Sequence, residues 1–212
     1  MPHFPAQAID VPIRNAPRSK TPPGTRHISR SETRAMARPA GLGKFRFRWD
    51  YAAPLVGLHI LALAAAIPWL FSWSGLIAMA AGVFFFGQGI NFCYHRLLTH
   101  RSLVVPLWLE HFWVIIALCC LEDTPCRWVT AHRHHHQHSD EQQDPHSPLV
   151  SFFWSHFQWL TRRNDETQSR AAFHRYAKGI IADRFYMAME NNRWIAPMIY
   201  LGHAALFFGI GA

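Results

Sequence analysis

Besides His111, eight of the fifteen histidines in this 212-residue chain fall between His95 and His146. They are ordered in two groups, Tyr94-His95-Arg96-Leu97-Leu98-Thr99-His100 and, about thirty residues on, His132-Arg133-His134-His135-His136-Gln137-His138, followed by Asp144-Pro145-His146-Ser147-Pro148. Neutral imidazole is a common ligand for borderline transition metals such as iron and zinc, so two dense groups with ordered spacing point to a metal site. On a helix, His132, His135 and His136 stand at i, i+3 and i+4 and share one face, whereas His134 and His138 point elsewhere. In the first group the five-residue spacing sets His95 and His100 about 140° apart on an ideal α-helix. They can then share a site only near a helix end, or serve different metals. The Glu-x-x-His pattern of soluble di-iron bundles does not accompany these groups.

His95-x-x-x-x-His100, then His132-x-x-His135-His136, then Asp144-Pro145-His146-Ser147-Pro148 resembles the integral-membrane fatty acyl desaturases, in their bacterial and plant delta-9-type branch. The resemblance runs from about Tyr51 to the C-terminus and is densest from Gly89 to Trp159. It implies two non-haem irons held by His95, His100, His132, His135 and His136. Asp144 and His146 would stand behind them as partners for the second ring nitrogen of a ligating imidazole. It implies an oxygen-dependent reaction in which two hydrogens leave adjacent methylenes of a long acyl chain and a cis double bond forms. Electrons would come from a ferredoxin- or cytochrome b5-type carrier, and the substrate would be a fatty acyl thioester or an acyl lipid. Animal acyl-CoA members carry an Arg-Asp pair where this chain has Thr130-Ala131, so the carrier stays open. The family also has a third His-x-x-His-His box. After His174 the only histidine here is His203, so the resemblance implies an incomplete ligand set and a chain that does not desaturate on its own. A related membrane hydroxylase and a non-catalytic metal-binding membrane protein are the alternative readings.

Such boxes must be carried to one side of a bilayer. From Tyr51 to Tyr94 there is no Lys, Arg, Asp or Glu. Forty-four helical residues measure roughly 66 Å, or two crossings of a hydrocarbon core about 30 Å thick. The break at Ser72-Trp73-Ser74-Gly75 predicts helices over 54–71 and 76–92, a hairpin that returns the chain to its starting face. His111 to Leu121 is apolar but too short to span, and predicts a re-entrant or interface-lying segment that keeps both boxes on one side. Phe152, Phe153, Trp154, Phe157 and Trp159 predict an amphipathic surface helix over 149–163. Residues 195–212 allow a third crossing. The fold expected is all-α, a multi-pass membrane protein with a histidine-rich helical cap on the cytosolic side.

The formal charge is +8, and ten Lys or Arg stand against three acids in the first fifty residues. That bias lies just before the first apolar run. It fits the positive-inside rule and an anionic membrane surface; no nucleic-acid-reading motif accompanies it, so no nucleic acid is expected as partner. Residues 1–44 are rich in Pro, Arg and Ser without an apolar period, and are expected to be a disordered basic tail ahead of one membrane domain over 45–212. A secretory signal is excluded by the lack of an apolar stretch after the positive charges, whereas the composition also fits an organelle transit peptide. The expected location is therefore a bacterial inner membrane or an organelle membrane. The four cysteines form no Cys-x-x-Cys pair and read as reduced, buried thiols.

Overall fold

A computed structural model describes residues 35–211; most of the expected N-terminal tail lies outside these described residues. Trp49–Leu63 forms α1 and Trp73–Gln88 forms α2, joined through two single 3₁₀ turns at Ala64–Ala66 and Pro68–Leu70. Two helices flank the expected break, where Ser72 caps α2 by accepting a hydrogen bond from the Gly75 amide at 3.0 Å. Pro68 in the sequence Ile67-Pro68 ends the first helix earlier than expected, because the residue before a proline is driven to extended backbone, as Ile67 is at ψ 120°. The stretches Trp49–Ala66 and Trp73–Thr99 are long and apolar enough to cross a membrane. Val56, Ile60, Leu63, Ile77, Val83 and Phe84 on these helices are all more than half exposed. A surface of that kind is not left to water.

The end of α2 passes without a break into a π-helix, Gly89–Thr99, which carries the first histidine box. Its turns are wider than those of an α-helix, and π geometry is ordinarily confined to single turns. Here tertiary demands sustain it for eleven residues. Cys93, Tyr94, Leu97 and Leu98 are all buried and form the inner face of this helix. They pack with Val114, Ala117 and Leu118 of α3 (Leu107–Leu118) and with Cys126 and Val129 of α4 (Pro125–His138). At the start of the π-helix the backbone of α3 passes very close. A Cβ on Gly89 would stand 2.6 Å from the Ala117 Cα, so only glycine fits.

Behind the boxes, α5 (Asp165–Gln168), α6 (Arg170–Tyr176), α7 (Lys178–Ile181) and α8 (Arg184–Asn191) complete the cap, and α9 (Ile195–Gly211) returns apolar and exposed alongside α3. Phe173, Ala177, Ile180, Tyr186 and Met189 close the core on this side. Two features differ from expectation. The 149–163 segment contains only a short helical stretch with a π turn at Trp154–Gln158, and then becomes a strand, Arg162–Asn164 (β2). β2 pairs antiparallel with Leu42–Phe47 (β1), in a register that sets Leu42 opposite Asn164. Residues just ahead of β1 also bond to the cap: the Met36 amide donates to the Leu149 carbonyl, and Gln142 donates to the Arg38 carbonyl. Alternation is too short in either strand to signal a sheet from sequence.

Candidate metal centre

The π-helix resolves the awkward spacing of the first box. Its hydrogen bonds run from residue i+5 to residue i, as from the His100 amide to the His95 carbonyl at 3.0 Å, so two residues five apart come to lie on one face. His95 Nε2 and His100 Nε2 are 3.2 Å apart. On α4, an ordinary α-helix, His132 and His136 are four apart and their Nε2 atoms stand at 3.0 Å. The two helices cross so that these pairs meet: ring centroids are 4.9 Å apart for His95 and His132, and 4.9 Å for His100 and His136. One ring nitrogen from each of the four lies within 4.8 Å of every other.

Two mutual hydrogen bonds, one ring donating and the other accepting within each pair, leave the two pairs facing one another with no shared proton between them. A cation satisfies all four nitrogens. Burial lowers the His132 pKa to about 3, with the neighbouring His136, His95 and His100 adding to the effect. His100 and His136 are lowered for the same two reasons, burial first. His132, His100 and His136 are therefore held neutral at pH 7, the state in which imidazole binds metal. Trp128, one turn before His132, stacks on its ring at 4.6 Å and donates through Nε1 to Glu122, forming one wall of the group.

His135, expected beside these four, stands with a second group made by Asp144 and His146. Its Nδ1 lies 2.9 Å from Asp144 Oδ1, and the His135 and His146 rings are 4.3 Å apart. Asp144 is 1% exposed; its Oδ1 also accepts from the His146 amide, while Oδ2 is buried with no hydrogen-bond partner among the described residues. The arrangement is a carboxylate fixing an imidazole tautomer, with Nε2 of His135 left to face outward. His134 turns away from both groups. It is buried between His138 and Tyr176, with Glu166 3.8 Å from its Nε2.

Several supporting residues carry no motif. Arg133, between two candidate ligands, donates to the carbonyls of Leu98, Thr99 and Tyr176. Glu110, buried on α3, takes the Tyr186 hydroxyl at 2.5 Å and faces Arg101 at 3.5 Å. Arg127 forks onto Glu190 at 2.8 and 2.9 Å, tying the first turn of α4 to α8. A charged residue inside an otherwise apolar run was the available signal for Glu110. For the two arginines there was none.

No family model matches the chain. Curated relatives do. Over 167 residues it is 38% identical to the sn-1 stearoyl-lipid 9-desaturase of Anabaena variabilis, covering 78% of this chain and 60% of that protein. Over 164 residues it is 37% identical to the sn-1 stearoyl-lipid 9-desaturase of Synechocystis sp., covering 77% and 50%. Over 140 residues it is 36% identical to Delta-9 acyl-lipid desaturase 2 of Arabidopsis thaliana, covering 61% and 46%. By sequence the chain is a relative of the delta-9 desaturases. The chain spans about half the length of these curated desaturases, and the described part includes the two histidine boxes and the helices that carry them.

Proposed function

We propose that this chain is the iron-binding, membrane-embedded part of an acyl-lipid desaturase, within a domain over 45–212, that forms a cis double bond in a long acyl chain. The observation that carries the reading is the convergence of a five-residue and a four-residue histidine pair, from two kinds of helix, on one point. His95, His100, His132 and His136 would hold one iron, and His135 would contribute to a second with Asp144 behind it. When bound, the iron pair supplies activation of O₂ and removal of hydrogen from the acyl methylenes. The chain's own residues do the rest. The π-helix and α4 hold the imidazoles in a fixed array, so that little reorganisation accompanies metal entry. Asp144 holds His135 in the tautomer that presents Nε2, and the Trp128 ring covers one side of the four imidazoles and keeps water from it.

The three relatives described above are named for acyl lipids, which supports an acyl lipid as substrate, while an acyl-CoA thioester, named in other relatives, is the alternative. Reducing equivalents would come from a ferredoxin- or cytochrome b5-type donor. The exposed apolar helices support a bilayer setting, with both boxes on the cytosolic side of a bacterial inner membrane or an organelle membrane. The test has two parts. The chain purified in detergent should retain iron, and His132→Ala should lose it. The protein that carries this chain, expressed in a desaturase-deficient host with an electron donor, should give new cis-alkenoyl lipids. Hydroxylated acyl chains in place of alkenes would replace desaturation with hydroxylation, and a chain that retains no metal would remove both.

A further inference from the structure

Arg133 lies within the second box, yet it does not face the imidazoles. Its guanidinium, partly buried, makes bonds in three directions: Nε to the Thr99 carbonyl at 3.1 Å, one terminal nitrogen to Leu98 and Thr99 at 3.0 and 2.6 Å, and the other to the Tyr176 carbonyl at 2.6 Å. Leu98 and Thr99 are the last residues of the π-helix, directly before His100. Their carbonyls are among those a helix end leaves without an intrahelical donor, and a buried carbonyl without one is costly. The chain then reverses at Arg101, in the left-handed region at φ 50°, so no further turn can supply the donors. Within the helix, the Thr99 hydroxyl donates to the Tyr94 carbonyl, five residues back, and the Ser102 amide and hydroxyl both donate to Arg96. These local bonds fix the width of the last turn; Arg133 fixes where that turn stands relative to α4.

We propose that Arg133 is a positioning residue: it clamps the C-terminal turn of the first-box π-helix to the second-box helix and thereby sets His100 against His136. A fork is required, because its two edges reach carbonyls on different elements; a lysine ammonium acts as a point donor and cannot reproduce both. Among the described residues no Asp or Glu pairs with it; its partners are peptide dipoles. The clamp rests on the metal reading only for its consequence, since the contact itself belongs to the protein without metal.

Two measurements on the whole chain in detergent separate clamp from consequence. In chelator-treated protein, amide hydrogen exchange over 95–102 should be on the order of tenfold faster in Arg133→Gln than in wild type, as expected when buried carbonyls lose their donors, with exchange over α2 and α8 unchanged. Co(II) is the metal probe. Arg133→Gln should bind it about 10–100-fold more weakly, the usual cost of losing a supporting contact, with a changed d–d spectrum; Arg133→Lys should fall between. Tyr176→Phe, which removes only the hydroxyl bond to Gln137, should bind Co(II) like wild type. Unchanged exchange over 95–102, or a uniform rise along the whole chain, overturns the clamp. If Arg133→Gln does not fold, Arg133→Lys decides by the same two readouts. Wild type that binds no Co(II), with exchange still altered locally, overturns the metal reading and leaves the clamp standing.

Discussion

Asp144 is the most exacting residue in the site. A carboxylate 1% exposed, with one oxygen serving His135 Nδ1 and the His146 amide and the other without a hydrogen-bond partner among the described residues, is costly to bury unless its charge is used. Its use is to hold His135, and the loss should be local. Asp144→Asn is expected to lower iron retention by about 10–100-fold at the position His135 serves, while the four-imidazole group still binds metal. Iron content after dialysis, measured beside His135→Ala and His136→Ala, checks this: Asp144→Asn should match His135→Ala and not His136→Ala. At this scale the sequence was legible in the placing of His132 and His136 on one face of the second-box helix. It could not show that His135 leaves that face for Asp144. That depends on the Asp144-Pro145-His146 turn folding back over α4, a contact between segments that no local spacing encodes.

Among the elements, the first box shows best how far a pattern reaches. Apolar length announced two helices and Ser72 announced the break between them. An α-helical rule then put His95 and His100 on different faces, because intrinsic preferences do not announce a π-helix; burial of Cys93, Tyr94, Leu97 and Leu98 against α3 and α4 sustains it. The close crossing at Gly89 makes this testable. Gly89→Ala would drive a methyl into the Ala117 backbone, which neither side can yield cheaply. The expected cost is about 2 kcal/mol, as for an overpacked core, and a thermal midpoint lower by about 5 °C. Gly57→Ala on α1, where an added methyl meets nothing within 4 Å, should leave the midpoint unchanged or slightly higher. Thermal unfolding of the two variants in one detergent provides the comparison. A drop of equal size in both would mean that the crossing at Gly89 is looser than drawn.

Across the whole molecule, apolar surface and charged surface are separated along the chain. α1, α2, the turn between them and α9 expose Val56, Trp69, Phe84 and Phe208, whereas the cap between α3 and α8 buries a core of Val114, Leu118, Val129, Phe173 and Tyr186 and ties its elements with Arg127–Glu190, His111–Asp183 and Arg101–Glu110. This separation was legible from composition, since Tyr51–Tyr94 lacks any charged residue. The two-stranded sheet that joins residues 42–47 to 162–164 was not, because its strands are distant in sequence and too short to alternate. If α1 and α2 are a membrane hairpin, both boxes share one side. Cysteines introduced at Arg96 and Gln143, both exposed, should therefore react with an impermeant maleimide from the same face of sealed vesicles. Of the native thiols, Cys93, Cys119 and Cys126 are buried, and the half-buried Cys120 is first replaced by serine. Labelling from opposite faces would separate the boxes and with them the shared centre.

The π-helix also bears on which lesions the gene tolerates. Between His95 and His100 the number of residues matters more than their identity, because that count keeps two histidines on one face and Leu97 and Leu98 on the other. Substitutions at exposed Arg96 should therefore pass, whereas removing or adding a single codon in this interval should rotate one face out of place and abolish metal retention. In a deletion scan of residues 90–106, the intolerant window should run through His100, the residue that closes the helix and the last ligand of the box.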